Sequence, residues 1–189
     1  MKKLYLFDFD GTIIEGDSLI KFSYFSLGTF QFFKYWICVI FLIPFYSRSN
    51  LKQMFYSNFQ ELNYDDFNNK CKQFNTQKLR NLTKNSFLEY IKNIPKDTNV
   101  IVVSASISNY LKPWCDQMGF DLISTELEVK DGKLTGKFST PNCNGKEKVR
   151  RIKEKYNLSE YDEIHVFGNS KGDLPMLELG THKYYKFFK

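Results

Sequence analysis

The sequence predicts an α/β fold: a three-layer, Rossmann-like core around a mainly parallel sheet, with a helical cap inserted into it. Three observations carry this expectation. Residues 4–9, 99–103 and 163–167 are short, nearly continuous apolar runs, the pattern of strands covered on both faces. Helical patterns lie over 107–118 and 146–157, between the later runs. Residues 15–90, which separate the first two runs, are far too many for an ordinary crossover.

The first run, Leu4 to Phe9, ends in acidic residues, and Gly11 and Thr12 then turn the chain. The long stretch after it reads as helical and needs packing of its own. It is expected to form a cap over 15–90, with 1–14 and 91–189 making the core. The second run is rich in β-branched residues and ends at Ser104. Two further short strands are expected near 121–129 and 133–138, flanking the hairpin signal Asp131-Gly132. The third run ends at Gly168 and Asn169. Open parallel sheets place ligands at the carboxyl ends of their strands. Here those ends carry Asp8 with Asp10, Ser104, and Asn169 with Asp173.

Composition narrows the function classes. The 189 residues suffice for one domain with a real core, or a core plus a small insertion. At 42% hydrophobic residues the chain is set to fold, which excludes a disordered protein. The net charge of +6 favours anionic partners, but the lysines are scattered with no long basic block, so nucleic-acid binding is not expected. Cys38, Cys71, Cys115 and Cys143 lie far apart and read as reduced thiols of a cytosolic protein. After Met1-Lys2-Lys3 the apolar run is broken at once by Asp8 and Asp10, so no secretory signal is read. The expected location is cytoplasmic, or at the inner membrane surface if the aromatic segment meets lipid.

That segment, 22–47, holds a single charge, Lys34, among Phe, Tyr, Trp, Ile, Val and Leu. Its uncharged centre, Tyr35 to Tyr46, is 12 residues, where a spanning helix needs about 20. Three readings compete: burial inside the cap, a patch facing substrate or a membrane surface, and a transmembrane span. Lys21, Lys34, Arg48 and Lys52 flank the patch and can meet anionic head groups.

Asp8 and Asp10 stand two apart at a strand end, so their side chains point the same way if the strand continues. Such a pair can divide labour: one carboxylate binds metal and attacks phosphorus, the other gives a proton to the leaving oxygen and later takes one from water. A carboxylate beside so apolar a run is costly unless paired or metal-bound. Mg²⁺ suits carboxylate, carbonyl and water ligands, while a hydroxyl such as Ser104 and an ammonium such as Lys148 can hold phosphoryl oxygens. Alone, Ser104 reads as a turn residue and Lys148 as a solvated lysine on a Lys-rich helix start.

Asp8-Phe9-Asp10-Gly11-Thr12 resembles the D-x-D-G-T signature of the haloacid dehalogenase superfamily of hydrolases. Val102-Val103-Ser104-Ala105-Ser106 resembles its second motif, Gly145-Lys146-Glu147-Lys148-Val149 its third, and Gly168-Asn169-Ser170-Lys171-Gly172-Asp173-Leu174-Pro175-Met176-Leu177 its fourth. The large gap after the first motif is similar to the phosphoserine-phosphatase-like subclass, and the Ser-Ala-Ser and D-L-P-M-L phrasing to its phosphatidylglycerophosphatase-like members. The resemblance implies a phosphatase acting on a small or lipid-linked phosphomonoester through an aspartyl-phosphate. Asp8 would be the nucleophile, Asp10 the acid and base, and Ser104 and Lys148 the phosphate ligands. Mg²⁺ would be held by Asp8, the Asp10 carbonyl and Asn169, with Asp173 orienting metal-bound water or Lys148. Asn169 stands where the family pattern has Asp, and its amide oxygen would bring no charge to the metal. Asn169 keeps a non-catalytic binding protein open as an alternative, and a phosphotransferase or mutase, in which another hydroxyl takes the aspartyl-phosphate in place of water, is a second. Lys146 competes with Lys148 for the third motif; Lys148 is preferred because an apolar residue follows it and Ile152 lies four further on.

Overall fold

The computed structural model describes residues 1–95 and 98–189 of the chain. Five parallel strands form the central sheet in the order β3-β2-β1-β6-β7: β1 Lys3–Phe7, β2 Asn99–Ile107, β3 Asp121–Thr125, β6 Glu163–Gly168 and β7 His182–Tyr185. β1 is central, with Leu6 opposite Ile101 on one side and Val166 on the other. The chain winds outward from β1 in both directions, so the crevice beside it is the switch point at which open sheets bind ligands.

Alternation along the strands sorts the core. Tyr5, Phe7, Val100, Val102 and Phe167 belong to one cluster, and Leu4, Leu6, Ile101, Val103 and Val166 to a second. Successive side chains on a strand point to opposite faces, so both faces of the sheet are buried. The second cluster is completed by α6 (Lys146–Lys155) and α7 (Leu174–Leu177), through Ile152, Met176 and Leu177. The first is covered by α5 (Ser108–Met118), whose Trp114 packs edge-on against Phe9.

Among the described residues, four α-helices and a short 3₁₀ helix (Leu79–Leu82) fill the stretch between β1 and β2: α1 Ser18–Leu42, α2 Arg48–Ser57, α3 Tyr64–Gln77 and α4 Asn85–Ile91. Phe22 is their hub, in aromatic contact with Phe55 of α2, Phe67 and Phe74 of α3 and Tyr110 of α5. α4 returns the chain to the sheet, where Phe87 meets Phe7 edge-on. Asp17 caps α1 by accepting from the Leu19 and Ile20 amides. Inside α1, Gly28 has φ 73°, which breaks the helix into two legs.

The structure redraws one expected element and adds another. The stretch expected as one strand near 121–129 is two: β3 joins the main sheet, and β4 (Leu127–Lys130) pairs antiparallel with β5 (Lys133–Phe138) across the Asp131-Gly132 turn. The mixed sequence Asp121 to Val129 carries no turn signal to mark the change of partner at Glu126. β7 has no sequence signal, because His182-Lys183-Tyr184-Tyr185 is a largely exposed edge strand without an apolar run.

The aromatic segment divides between two environments. Phe22, Ser23 and Val39 are buried, and the Trp36 indole donates to Ser23 Oγ (2.9 Å). Phe30, Phe33, Ile37, Ile40 and Phe41 are exposed. By length and composition alone α1 passes as a membrane span, but Gly28 divides it. The Arg48 side chain lies outside the described residues.

Candidate active site

Asp8 follows the last residue of β1 and is held there by its amide, which donates to the Phe167 carbonyl (2.9 Å). Gly11, at φ 74°, then turns the chain under the site. A Cβ on Gly11 would come within 2.0 Å of Asn169 Nδ2, so glycine lets the first strand end lie directly against the fourth motif.

Lys148 lies on the first turn of α6 and is buried together with Ile152, four residues on. Its ammonium donates to Asp8 Oδ1 (2.6 Å) and Asp173 Oδ1 (2.7 Å). Lys146, two residues earlier, is exposed. Thr12 Oγ1 donates to the other Asp8 oxygen (3.0 Å). Asp173 Oδ2 accepts from the Asn169 amide (3.2 Å), the Ser170 amide (2.9 Å) and Ser170 Oγ (2.7 Å).

The three buried charges do not balance: two carboxylates share one ammonium. Burial pushes Asp8 up to about 6, a rise that Lys148 reduces but does not cancel and that Asp173 reinforces. Burial also works against the charge on Asp173, yet Lys148 and Ser170 outweigh it and hold Asp173 below its usual range. For Lys148 the same burial is outweighed by the two carboxylates, which raise it above the ordinary lysine value.

Asp10 is held apart from this triad. Its Oδ1 accepts from the Ser18 amide (2.6 Å) at the start of α1, and its Oδ2 from Ser106 Oγ (2.6 Å). Ser106 Oγ also lies 2.9 Å from Ser18 Oγ, which is 3.1 Å from the Tyr110 hydroxyl. Ser104 is buried, and its Oγ accepts the Ser106 amide (3.0 Å). The bend that permits this is a bulge: the β2–β3 register passes from Ser104–Ser124 directly to Ile107–Thr125, leaving Ala105 and Ser106 unpaired. Thus Asp8, Lys148, Asp173 and Asn169 form one connected group, and Asp10, Ser106 and Ser104 a second, joined through the loop after β1.

Sequence reasoning missed Ser18 and gave Thr12, Ser106 and Ser170 no role beyond their places in the motifs. Ser106 had a signal, since it lies two residues beyond Ser104 in Ser-Ala-Ser. Ser18 had none beyond its place after a capping aspartate.

Residues 5–178 match the family of haloacid dehalogenase-like hydrolases. The chain belongs to this family. The hydrolase is 31% identical over 96 residues to the protein CicA of Caulobacter vibrioides, a match that spans 50% of this chain but only 43% of CicA. Among solved structures it is similar to a protein of unknown function from Bordetella pertussis Tohama I (TM-score 0.85, 18% identity, 96% of this chain and 88% of that one). It is also similar to a phosphoserine phosphatase in a phospho-aspartyl intermediate analogue form (TM-score 0.68, 19% identity, 96% and 85%). At these identities the likeness establishes the fold.

The residues present fit a hard divalent cation. Asp8 and Asn169 offer a carboxylate and an amide oxygen, Asp10 a backbone carbonyl, and the excess buried negative charge calls for a positive partner.

Proposed function

We propose that this hydrolase is a Mg²⁺-dependent phosphatase that cleaves phosphomonoesters, of small metabolites or of lipids, through a phosphorylated Asp8. The observation that carries the reading is the placement of Asp8: a buried strand-end carboxylate, 2.6 Å from Lys148, with a second carboxylate, Asp10, anchored separately two residues on.

In the first half-reaction an Asp8 carboxylate oxygen forms a bond to phosphorus while the ester P–O bond breaks. Asp10, protonated, gives its proton to the departing alcohol oxygen. In the second half, Asp10 takes a proton from water, the water oxygen bonds to phosphorus, and the bond to Asp8 breaks to restore its carboxylate. Ser18 and Ser106 hold the Asp10 carboxyl at both oxygens, so one orientation serves both proton transfers. Lys148 and Ser104 neutralise and bind phosphoryl oxygens, and Asp173 keeps Lys148 charged and aimed. Mg²⁺, when bound by Asp8, Asp10 and Asn169, would supply charge neutralisation at the phosphoryl group. Residues 15–90 would act as the cap that selects the leaving group.

The test is phosphate release across soluble and lipid phosphomonoesters, with and without Mg²⁺, together with hydroxylamine trapping of an acyl phosphate. Release that Mg²⁺ stimulates and Asp8→Asn abolishes is expected. Turnover that persists in Asp8→Asn would overturn the covalent route.

A further inference from the structure

α1 and the turn after it expose a large apolar surface that the fold does not use. Phe30, Phe33, Ile37, Ile40 and Phe41 recur at helical spacing along the second leg of α1, and Ile43 and Phe45 continue the surface through the turn. Phe30 is 83% exposed, Phe41 73% and Phe45 80%. At about 150–250 Å² for a large side chain, this surface is on the order of 800 Å², beyond the few hundred that monomeric soluble proteins usually leave open. The opposite side of the same leg is already satisfied. Val39 is buried, Tyr35 packs edge-on against Phe55 of α2, and its hydroxyl donates to the Leu51 carbonyl (3.0 Å).

We propose that this stripe is a peripheral anchor that seats the protein on an anionic lipid bilayer, lying in the interface without crossing it. The break at Gly28 argues against a crossing, because neither leg spans a bilayer by itself. Past the Gly28 break, the leg from 29 to 42 rises about 20 Å at ~1.5 Å per residue, against a hydrocarbon core of about 30 Å. Charge selects the bilayer. No Asp or Glu occurs between Asp17 and Glu61, whereas Lys21, Lys34 and Lys52 do. Lys34 is exposed and lies four residues after Phe30 and three before Ile37, within the stripe, where its stem can lie along the apolar surface and its ammonium reach head groups. A second copy of the chain fits less well: pairing two such stripes would bury both Lys34 ammonium groups with no acid of the segment to pair them.

The anchor is rooted at the candidate active site. The Ser18 amide that opens α1 donates to Asp10, and Lys52 of α2 donates to the Ala105 carbonyl (3.4 Å). Docking does not rest on the phosphatase reading, and its test does not depend on turnover.

The experiment is flotation of the full chain with extruded vesicles of phosphatidylcholine alone or with 30% phosphatidylglycerol, at low salt and at 0.5 M NaCl. Binding to the anionic vesicles at least 10-fold stronger than to the neutral ones, and weakened by salt, is expected. Phe30→Ser/Phe41→Ser/Phe45→Ser should lose at least 10-fold in binding while its melting temperature stays near that of the parent. Lys34→Glu should reduce binding to anionic vesicles alone, which keeps the proposal testable if the triple variant unfolds. Failure of the parent chain to float with anionic vesicles overturns the proposal. If light scattering then shows a dimer that the triple variant dissolves, the stripe is a self-association face.

Discussion

Lys148 Nζ stands 2.6 Å from Asp8 Oδ1, an ion pair between residues 140 apart in sequence and almost wholly out of water. Asp173, 2.7 Å away on its other side, is as deeply buried. Removing the ammonium would strand two carboxylates, and breaking a buried pair costs about 3–5 kcal/mol. Lys148→Met is expected to abolish phosphate release and to lower unfolding stability by roughly that amount. Urea denaturation at pH 7 measures it; a loss under about 1 kcal/mol would mean that the pair contributes little to the fold.

Asp8→Asn should behave in the opposite way. It removes the excess negative charge and leaves Lys148 paired with Asp173. Turnover should vanish, while the metal-free variant is at least as stable as the parent at pH 7. The pH dependence has a definite sign. An acid raised from 3.8 to about 6 on folding takes up a proton as pH falls between those values. The parent should therefore gain stability relative to Asp8→Asn as pH falls from 7 towards 4, in the presence of a chelator. Melting curves of both proteins across that range decide it. A parent that instead loses ground to the variant would show that Asp8 folds as a stabilised carboxylate.

Asn169→Asp places a second full charge beside Asp173, whose carboxylate already accepts the residue 169 amide. Without metal this variant should melt lower than the parent; with saturating Mg²⁺ its melting temperature should rise further than the parent's does. Equal Mg²⁺-induced shifts in the two proteins would remove residue 169 from the metal shell.

Ser106→Ala deletes the 2.6 Å bond to Asp10 Oδ2 but leaves the Ser18 amide on Oδ1. A hydrogen bond to a charged group contributes about 1.5–3 kcal/mol, so kcat should fall about 10- to 100-fold with KM little changed. Ser106→Thr, which keeps the hydroxyl, should recover much of it. An unchanged kcat in Ser106→Ala would mean that Ser18 alone orients Asp10.

The sequence by itself determined the elements whose signal is local. The apolar runs ending at Asp8, Ser104 and Gly168 became β1, β2 and β6, because a strand buried on both faces needs no polar alternation to mark it. Asp8 and Asp10 share one turn by spacing alone, and Lys148 is distinguishable from Lys146 because Ile152, one helical turn on, faces the same core. Tertiary structure decided what depends on a partner distant in sequence. The polar edge strand β7 exists because β6 offers it a ladder, and β3 leaves the hairpin because β2 claims it. Ser18 and Ser106 come together across 88 residues only because a bulge in β2 turns Ser106 towards the start of α1. The sharpest case is the aromatic segment. Trp36 is tied to Ser23 while Phe41 is open to solvent, and no periodicity separates them, since the helix is apolar on every side. Burial there is set by where the first leg of α1 and α2 pack against the second leg, and those contacts are a property of the folded chain.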